Sequence, residues 1–349
     1  SENTKWGIRS KFQKGIPHVN TTRLFGFNKD ADGQLCVDPE QGTVVRRIFR
    51  EYLMGFGEGE IARRLRQEGI PGITGTSRWS STTVRRMLQN EKYQGDLLLQ
   101  KYYTVSFLTG ECARNEGALD QYFVANAHEG IVSREEWEAV QQERSRRLAY
   151  REEYKLKKLE NADPFFNRIR CGACGGMVVR GYGKAGREPF WRCGAACRKH
   201  KGARTRTTFP EQEVRRVMCE AWAQLVENRA VYEAAWRATM ESSETSALEK
   251  VRARQMMALM ESADRAGSRP EDRWAGADGG AAGREWIGVD EGAAEAWHGG
   301  FSEERAAVEI WESDVWIRMV LESMIASERE YRVGFLDGSE VTVRVVNGA

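Results

Sequence analysis

Two cysteine pairs constrain this chain more than any other feature. Cys171-x2-Cys174 and Cys193-x3-Cys197 bound the stretch CGACGGMVVRGYGKAGREPFWRCGAAC. Each pair is spaced to form a tight turn presenting two thiolates to one tetrahedral ion, and the residues between are enough for a β-hairpin. The spacing predicts a zinc ribbon in which Cys171, Cys174, Cys193 and Cys197 hold one structural Zn2+. Four protein thiolates leave no open coordination position, so such an ion stabilises the fold and activates no water. The competing readings are a pair of disulfides or a redox CxxC. Against them, Cys36, Cys112 and Cys219, the other three of seven cysteines, have no partners at this spacing, and no secretory signal opens the sequence. His200, three residues past Cys197, is an alternative to one thiolate.

The ribbon is basic. Between Arg168 and Arg206 eleven Lys/Arg stand against one acidic residue, Glu188. Arg180, Lys184, Arg192, Arg198, Lys199, Lys201, Arg204 and Arg206 are candidate phosphate contacts on this account. The net charge of +2 hides the asymmetry, because Glu241 to Glu312 carries sixteen acidic against eight basic residues. A nucleic-acid face with a solvated appendage is the expected arrangement. No apolar run approaches the ~18 to 20 residues that span a bilayer, and the cysteine usage fits a reducing cytoplasm.

In chain order, the opening KWGIRSKFQKGIPHVNTTR puts Lys5, Arg9, Lys11 and Lys14 among glycines and a proline. It reads equally as an arm tracking a DNA groove or as a solvated linker. RLFGFNKDADGQLCV alternates about an Asp-Gly turn and predicts a hairpin. Asp38, Pro39 and Gln41 start a helix whose Val44, Val45, Ile48, Phe49 and Tyr52 face inward. A second helix follows over GEIARRLRQEG, with Ile61, Ala62 and Leu65 inward. Ser80 or Ser81 caps a third, STTVRRMLQN, burying Val84, Met87 and Leu88 and turning Thr82, Thr83, Arg85, Arg86 and Gln89 outward. That order predicts a helix-turn-helix whose outer side chains suit base edges and phosphates. An ordinary amphipathic helix with a solvated face is the alternative.

KYQGDLLLQKYYTVSF reads as a strand or hairpin and ALDQYFVANA as another strand. Ser133 and Glu136 form a capping box opening a helix that runs beyond Arg151. His128-Glu129 lacks the second histidine of a zinc hydrolase and is read as a structural turn. Past the ribbon, Phe209 to Val226 is a helix. Arg229 to Arg265 continues helically, with Tyr232, Trp236, Leu248, Val251 and Leu259 apolar and Gln255 interrupting them. Gly267 to Gly300 is Gly-rich and reads as a linker, and Phe301 to Ile325 as helix. A hairpin on Asp337-Gly338 ends the chain and is expected to pack against the ribbon.

The order LFGFNKD, PEQGTVVRRIFREYL, IARRLRQEGIP, RWSSTTVRRMLQNEKYQG, NEGALDQYFVANAHEGIVSREEWEAVQ, the four-cysteine ribbon and FLDGSEVTV resembles the C-terminal, DNA-binding half of large serine recombinases, the phage serine integrases and transposon recombinases. The resemblance implies an α+β multidomain fold. A basic arm (1–22) leads into a helix-turn-helix-containing recombinase domain (23–150). A connector (151–166) then precedes a zinc-ribbon domain (167–349) with a helical, coiled-coil-like insertion at about 229–325. It implies that Ser81, Thr82, Arg85, Arg86 and Gln89 form the recognition helix, that the ribbon reads the outer part of an attachment half-site, and that Lys5 to Lys14 cross the minor groove. The implied partners are double-stranded DNA and other recombinase protomers. The family's catalytic serine domain has no counterpart in this sequence, so the chain is expected to be a non-enzymatic, DNA-binding portion. A transcription regulator combining zinc and helix-turn-helix would instead dimerise on a palindrome, and a zinc-dependent metabolic enzyme would need an open metal site.

Overall fold

The computed structural model describes residues 21, 24–31, 33–105, 111–156, 163–182, 188–195, 208–266 and 315–345. They divide into two compact units, one of residues 1–53 and 58–145, the other of 54–57 and 146–349. Both mix helices with small sheets.

In the first unit, strands β1 (Phe27–Lys29) and β2 (Leu35–Val37) pair antiparallel, Phe27 opposite Val37. Asp38 Oδ1 then accepts the Gln41 N–H at 2.9 Å, and helix α1 (Pro39–Leu53) starts on a proline that has no N–H to leave unpaired. Its Val45, Ile48, Phe49 and Tyr52 are buried, while Val44 is half-buried. Helix α2 (Glu58–Gln67) lays Ile61, Ala62 and Leu65 into the same core. Arg47 on α1 pairs with Glu51, at 2.7 Å, and with Glu68 just past α2, so a buried charge cluster joins the two helices.

The segment from Ile70 to Ser80 is pinned by Trp79. Its indole N–H donates to Ile70 O at 2.9 Å, its ring meets Phe25 edge-on at 5.3 Å, and its carbonyl accepts from Arg66. Helix α3 (Ser81–Leu88) follows. The stretch KYQGDLLLQKYYTVSF is neither one strand nor a hairpin. It begins as a 3-10 turn (Glu91–Gln94) and breaks at Gln100, φ +64°, into β3 (Leu97–Leu99) and β4 (Tyr102–Thr104). These pair with different partners, β4 with β5 (Cys112–Arg114) and β3 with β6 (Tyr122–Val124). Asn115, 3% exposed, holds the crossover by donating to Gln100 O and Leu119 O. His128 is structural, its Nδ1 2.8 Å from Glu129 O and its ring edge-on to Phe27. Helix α4 (Arg134–Glu153) opens on the expected box, with Ser133 and Glu136 exchanging N–H bonds at 3.1 Å.

Among the described residues the second unit holds two sheets. One is antiparallel, in the order β10-β9-β8, from β8 (Val178–Gly181), β9 (Phe190–Cys193) and β10 (Thr208–Pro210). The other joins β7 (Ile169–Cys171) to β11 (Leu321–Ala326), β12 (Glu330–Phe335) and β13 (Glu340–Arg344), in the order β13-β12-β11-β7. The terminal hairpin therefore shares a sheet with the first cysteine, and Gly172 N–H donates to Ala326 O at 2.8 Å. Helix α5 (Glu211–Glu227) buries Val214, Val217, Met218, Trp222 and Leu225.

Two expectations are corrected here. Residues 321–325 are strand, because parallel pairing with β7 and antiparallel pairing with β12 use both edges of β11; helix is confined to α8 (Val315–Val320) among the described residues. The helical run after Arg229 is interrupted at Ser242–Ser246, giving α6 (Arg229–Glu241) and α7 (Ala247–Ala266). These two pack on each other and on their own unit instead of extending as a rod. Trp236 donates to Asp337 at 2.8 Å and Arg252 to Leu336 O at 3.1 Å.

Candidate nucleic-acid interface and cysteine site

Helix α3 owes its position to local chemistry at both ends. Ser80 is extended, φ −128° and ψ 155°, and its Oγ accepts the Thr83 N–H at 3.1 Å. Past the other end, Gln141 Nε2 donates to Leu88 O at 2.7 Å, satisfying a carbonyl that the helix leaves open, and Trp137 Nε1 donates to Asn90 O at 3.2 Å in the turn that follows. Val84, Met87 and Leu88 form the buried underside. Ser81, Thr82, Arg85, Arg86 and Gln89 are all exposed.

The two arginines of that face differ. Arg85 is tied to Glu58 by two bonds of 2.9 and 2.7 Å while its side chain stays 52% exposed. The hydrogen bond and the charge of Glu58 raise the Arg85 pKa and keep it protonated. Arg86 has no ion-pair partner among the described residues and presents its full charge outward.

In the second unit, β7 delivers Cys171, a turn closed by Gly175 N–H to Cys171 O at 2.7 Å delivers Cys174, and β9 ends on Cys193. The three sulfurs lie within 4.8 Å of one another, and Cys174 and Cys193 are 3.5 Å apart. That is far longer than the ~2.05 Å of a disulfide, and a cluster of this size can chelate a metal ion. Gly176 N–H donates to Cys174 Sγ at 3.4 Å, and a Cβ at Gly176 would come within 3.2 Å of that sulfur. Burial, with the neighbouring Cys174 thiol, pushes the Cys193 thiol up to about 11, so a metal entering here has protons to displace. Cys197 and His200 lie outside the described residues.

The basic residues of this unit divide. Arg180 is turned inward, its side chain 13% exposed, between Asp163 at 3.3 Å and Glu211 at 3.2 Å. Glu211 also accepts from Trp191 at 2.7 Å and Arg215 at 3.0 Å. Arg192 is exposed, in register between Val179 and Thr208 on the outer face of the β10-β9-β8 sheet. Lys5, Arg9, Lys11, Lys14, Lys184, Arg198, Lys199, Lys201, Arg204 and Arg206 lie outside the described residues. Sequence reading passed over Trp137, Gln141 and Arg144, although their i, i+4, i+7 spacing marks one face of α4.

A mixed α/β unit carrying three consecutive helices, the last with an exposed polar face, is the setting in which the comparisons fall. Residues 39–147 match the family model described as Recombinase. Over this segment the chain is similar to that family. A Bacillus subtilis (strain 168) protein described as "Putative DNA recombinase" is 24% identical over 241 residues, covering 64% of this chain. The match spans 46% of that relative's length. Two solved structures are similar at low identity. One, described as "Sequence Requirements of the Listeria innocua prophage attP site", has 17% identity, a TM-score of 0.34, and coverage of 65% of this chain and 86% of that one. The other, "Crystal Structure of a LSR-DNA Complex", has 14% identity, a TM-score of 0.38, and coverage of 96% and 97%. Among the described residues no helix is long and apolar enough to cross a membrane.

Proposed function

We propose that this chain binds double-stranded DNA sequence-specifically, as the DNA-binding part of a large serine recombinase seated on one attachment half-site. The observation that carries this reading is the exposed row Ser81, Thr82, Arg85, Arg86 and Gln89 on a capped helix with a fully apolar underside, inside the recombinase segment. Residues 58–89 act as a helix-turn-helix, with α3 in the major groove. Arg86 reads a base edge directly, and Arg85 exchanges Glu58 for DNA.

The second unit acts as a zinc ribbon. Cys171, Cys174 and Cys193, with Cys197 as the fourth ligand, would hold one Zn2+ that fixes the turn bearing Cys174 against β9. Arg192 and the basic residues 184–206 contact phosphate in the outer part of the half-site. Lys5, Arg9, Lys11 and Lys14 form an arm in the adjacent minor groove. Recombination by the whole protein, and its assembly with other protomers, extend this reading. The domain limits 1–22, 23–150, 151–166 and 167–349 are part of the same proposal.

Two substitutions test the division of labour. Arg86→Ala should relax preference at one base position by about 1–3 kcal/mol. Arg192→Ala should weaken all duplexes alike and reduce the slope of affinity against salt. Equal, sequence-independent losses from both changes would refute it.

A further inference from the structure

Gln89 stands at the C-terminal end of the exposed row, but its amide is already half committed. Arg144 on α4 brings Nη1 to 3.3 Å from one end of the Gln89 side-chain amide, and Nη2 closer still; that end is assigned as the oxygen by what faces it. Only with the oxygen facing the guanidinium does an acceptor meet donors, so the Nε2 end is left for other partners. Arg144 is itself held in place. Its Nη1 donates to Gln141 Oε1 at 3.0 Å, and Gln141 Nε2 is anchored on Leu88 O at 2.7 Å. The chain of bonds thus runs from the backbone of α3, through α4, and back to the last outward side chain of α3.

We propose that Arg144 makes Gln89 a donor-only reader of the major groove. The inference rests on the reading that α3 enters that groove. A glutamine with both amide ends available pairs with adenine, accepting from N6 and donating to N7. Here the oxygen is held by a charged donor, and such bonds are roughly twice as strong as neutral ones. What remains is an NH2 group, which matches base edges offering acceptors: O6 and N7 of guanine, or O4 of thymine. Adenine is disfavoured, because its N6 amino group would meet no acceptor. Arg144 is therefore a positioning residue that sets specificity without touching DNA.

The test is selection of bound duplexes from a random pool by the full chain and by three variants, Gln89→Ala, Arg144→Met and Gln89→Glu, with thermal melting as the folding control. Gln89→Ala identifies the position that Gln89 reads. The wild type should favour guanine or thymine there, and Arg144→Met should shift that one position toward adenine by roughly tenfold. Gln89→Glu, an exposed change that leaves Arg144 in place, should lose the guanine or thymine preference. The inference is overturned if the wild type already prefers adenine at that position, if Gln89→Ala changes no position, if folded Arg144→Met keeps the wild-type preference or weakens all duplexes alike, or if Gln89→Glu retains that preference. Absence of any enriched sequence with the wild type would instead overturn the DNA-binding proposal, and this inference with it.

Discussion

Removing the Glu68 carboxylate alone should destabilise the first unit far more than removing the whole Arg47–Glu68 pair. Arg47 and Arg64 are each 5% exposed and Glu51 2%, so with Glu68 the cluster holds two positive and two negative charges away from water. Burial disfavours the Arg47 cation, and Glu68 and Glu51 more than compensate, leaving its pKa raised. Glu68→Ala strands one excess positive charge in this setting, which costs about 3–5 kcal/mol. Arg47→Met with Glu68→Leu removes one charge of each sign and leaves Glu51 facing Arg64. Replacing a buried pair by apolar groups of similar volume is neutral or stabilising in other proteins, so the double variant should lie within about 1 kcal/mol of the parent. Urea denaturation of the full chain measures both, provided the dependence on urea stays linear with an unchanged slope. If the double variant loses as much as Glu68→Ala, the cluster acts through shape rather than charge, and the reasoning fails.

Three further outcomes are expected. Ser80→Ala should cost about 1 kcal/mol of stability by removing the acceptor for the Thr83 N–H, with base preference unchanged; an altered preference would show that Ser80 itself reads DNA. Glu91 is buried; burial alone would raise its pKa, but Lys92 and Lys101 with the Leu98 N–H hold it below the ordinary carboxylate range. The stability it adds is therefore complete above that ordinary value and lost as pH falls through the depressed folded value, and Glu91→Gln should flatten this acid limb of a stability-against-pH curve. Chelation of metal, or Cys193→Ser, should loosen the second unit and leave α3 intact, read as faster amide exchange in β7 to β9 with unchanged protection in 81–88; uniform protection throughout would argue against a structural ion.

Signals confined to a few neighbouring residues were legible in the sequence. The Asp38, Ser80 and Ser133 caps, the Asp337-Gly338 turn, at which Gly338 takes φ +89°, and the inward and outward faces of α3 all follow from short-range patterns. What depends on distant partners was not. β11 carries a helix-like spacing of apolar residues because its register shifts between Leu321 and Ser323, and it is a strand because β7, far away in sequence, pairs with it. Arg180 counts as a surface cation until Asp163 and Glu211 enclose it. The break before α7 did have a local signal, Ser246-x-x-Glu249, whose side chains form a second capping box with Oγ and N–H bonds of 2.7 and 2.9 Å. The tie from Arg144 to Gln89 had none, since nothing in either segment names the other.

The most direct test of DNA binding by these two units is duplex selection with the zinc-loaded chain at about 0.15 M salt, where nonspecific phosphate binding is weakened. A long, non-palindromic site in two blocks, the outer block lost when zinc is removed, is the predicted result. A short palindrome, or no enriched sequence at all, would contradict the half-site account.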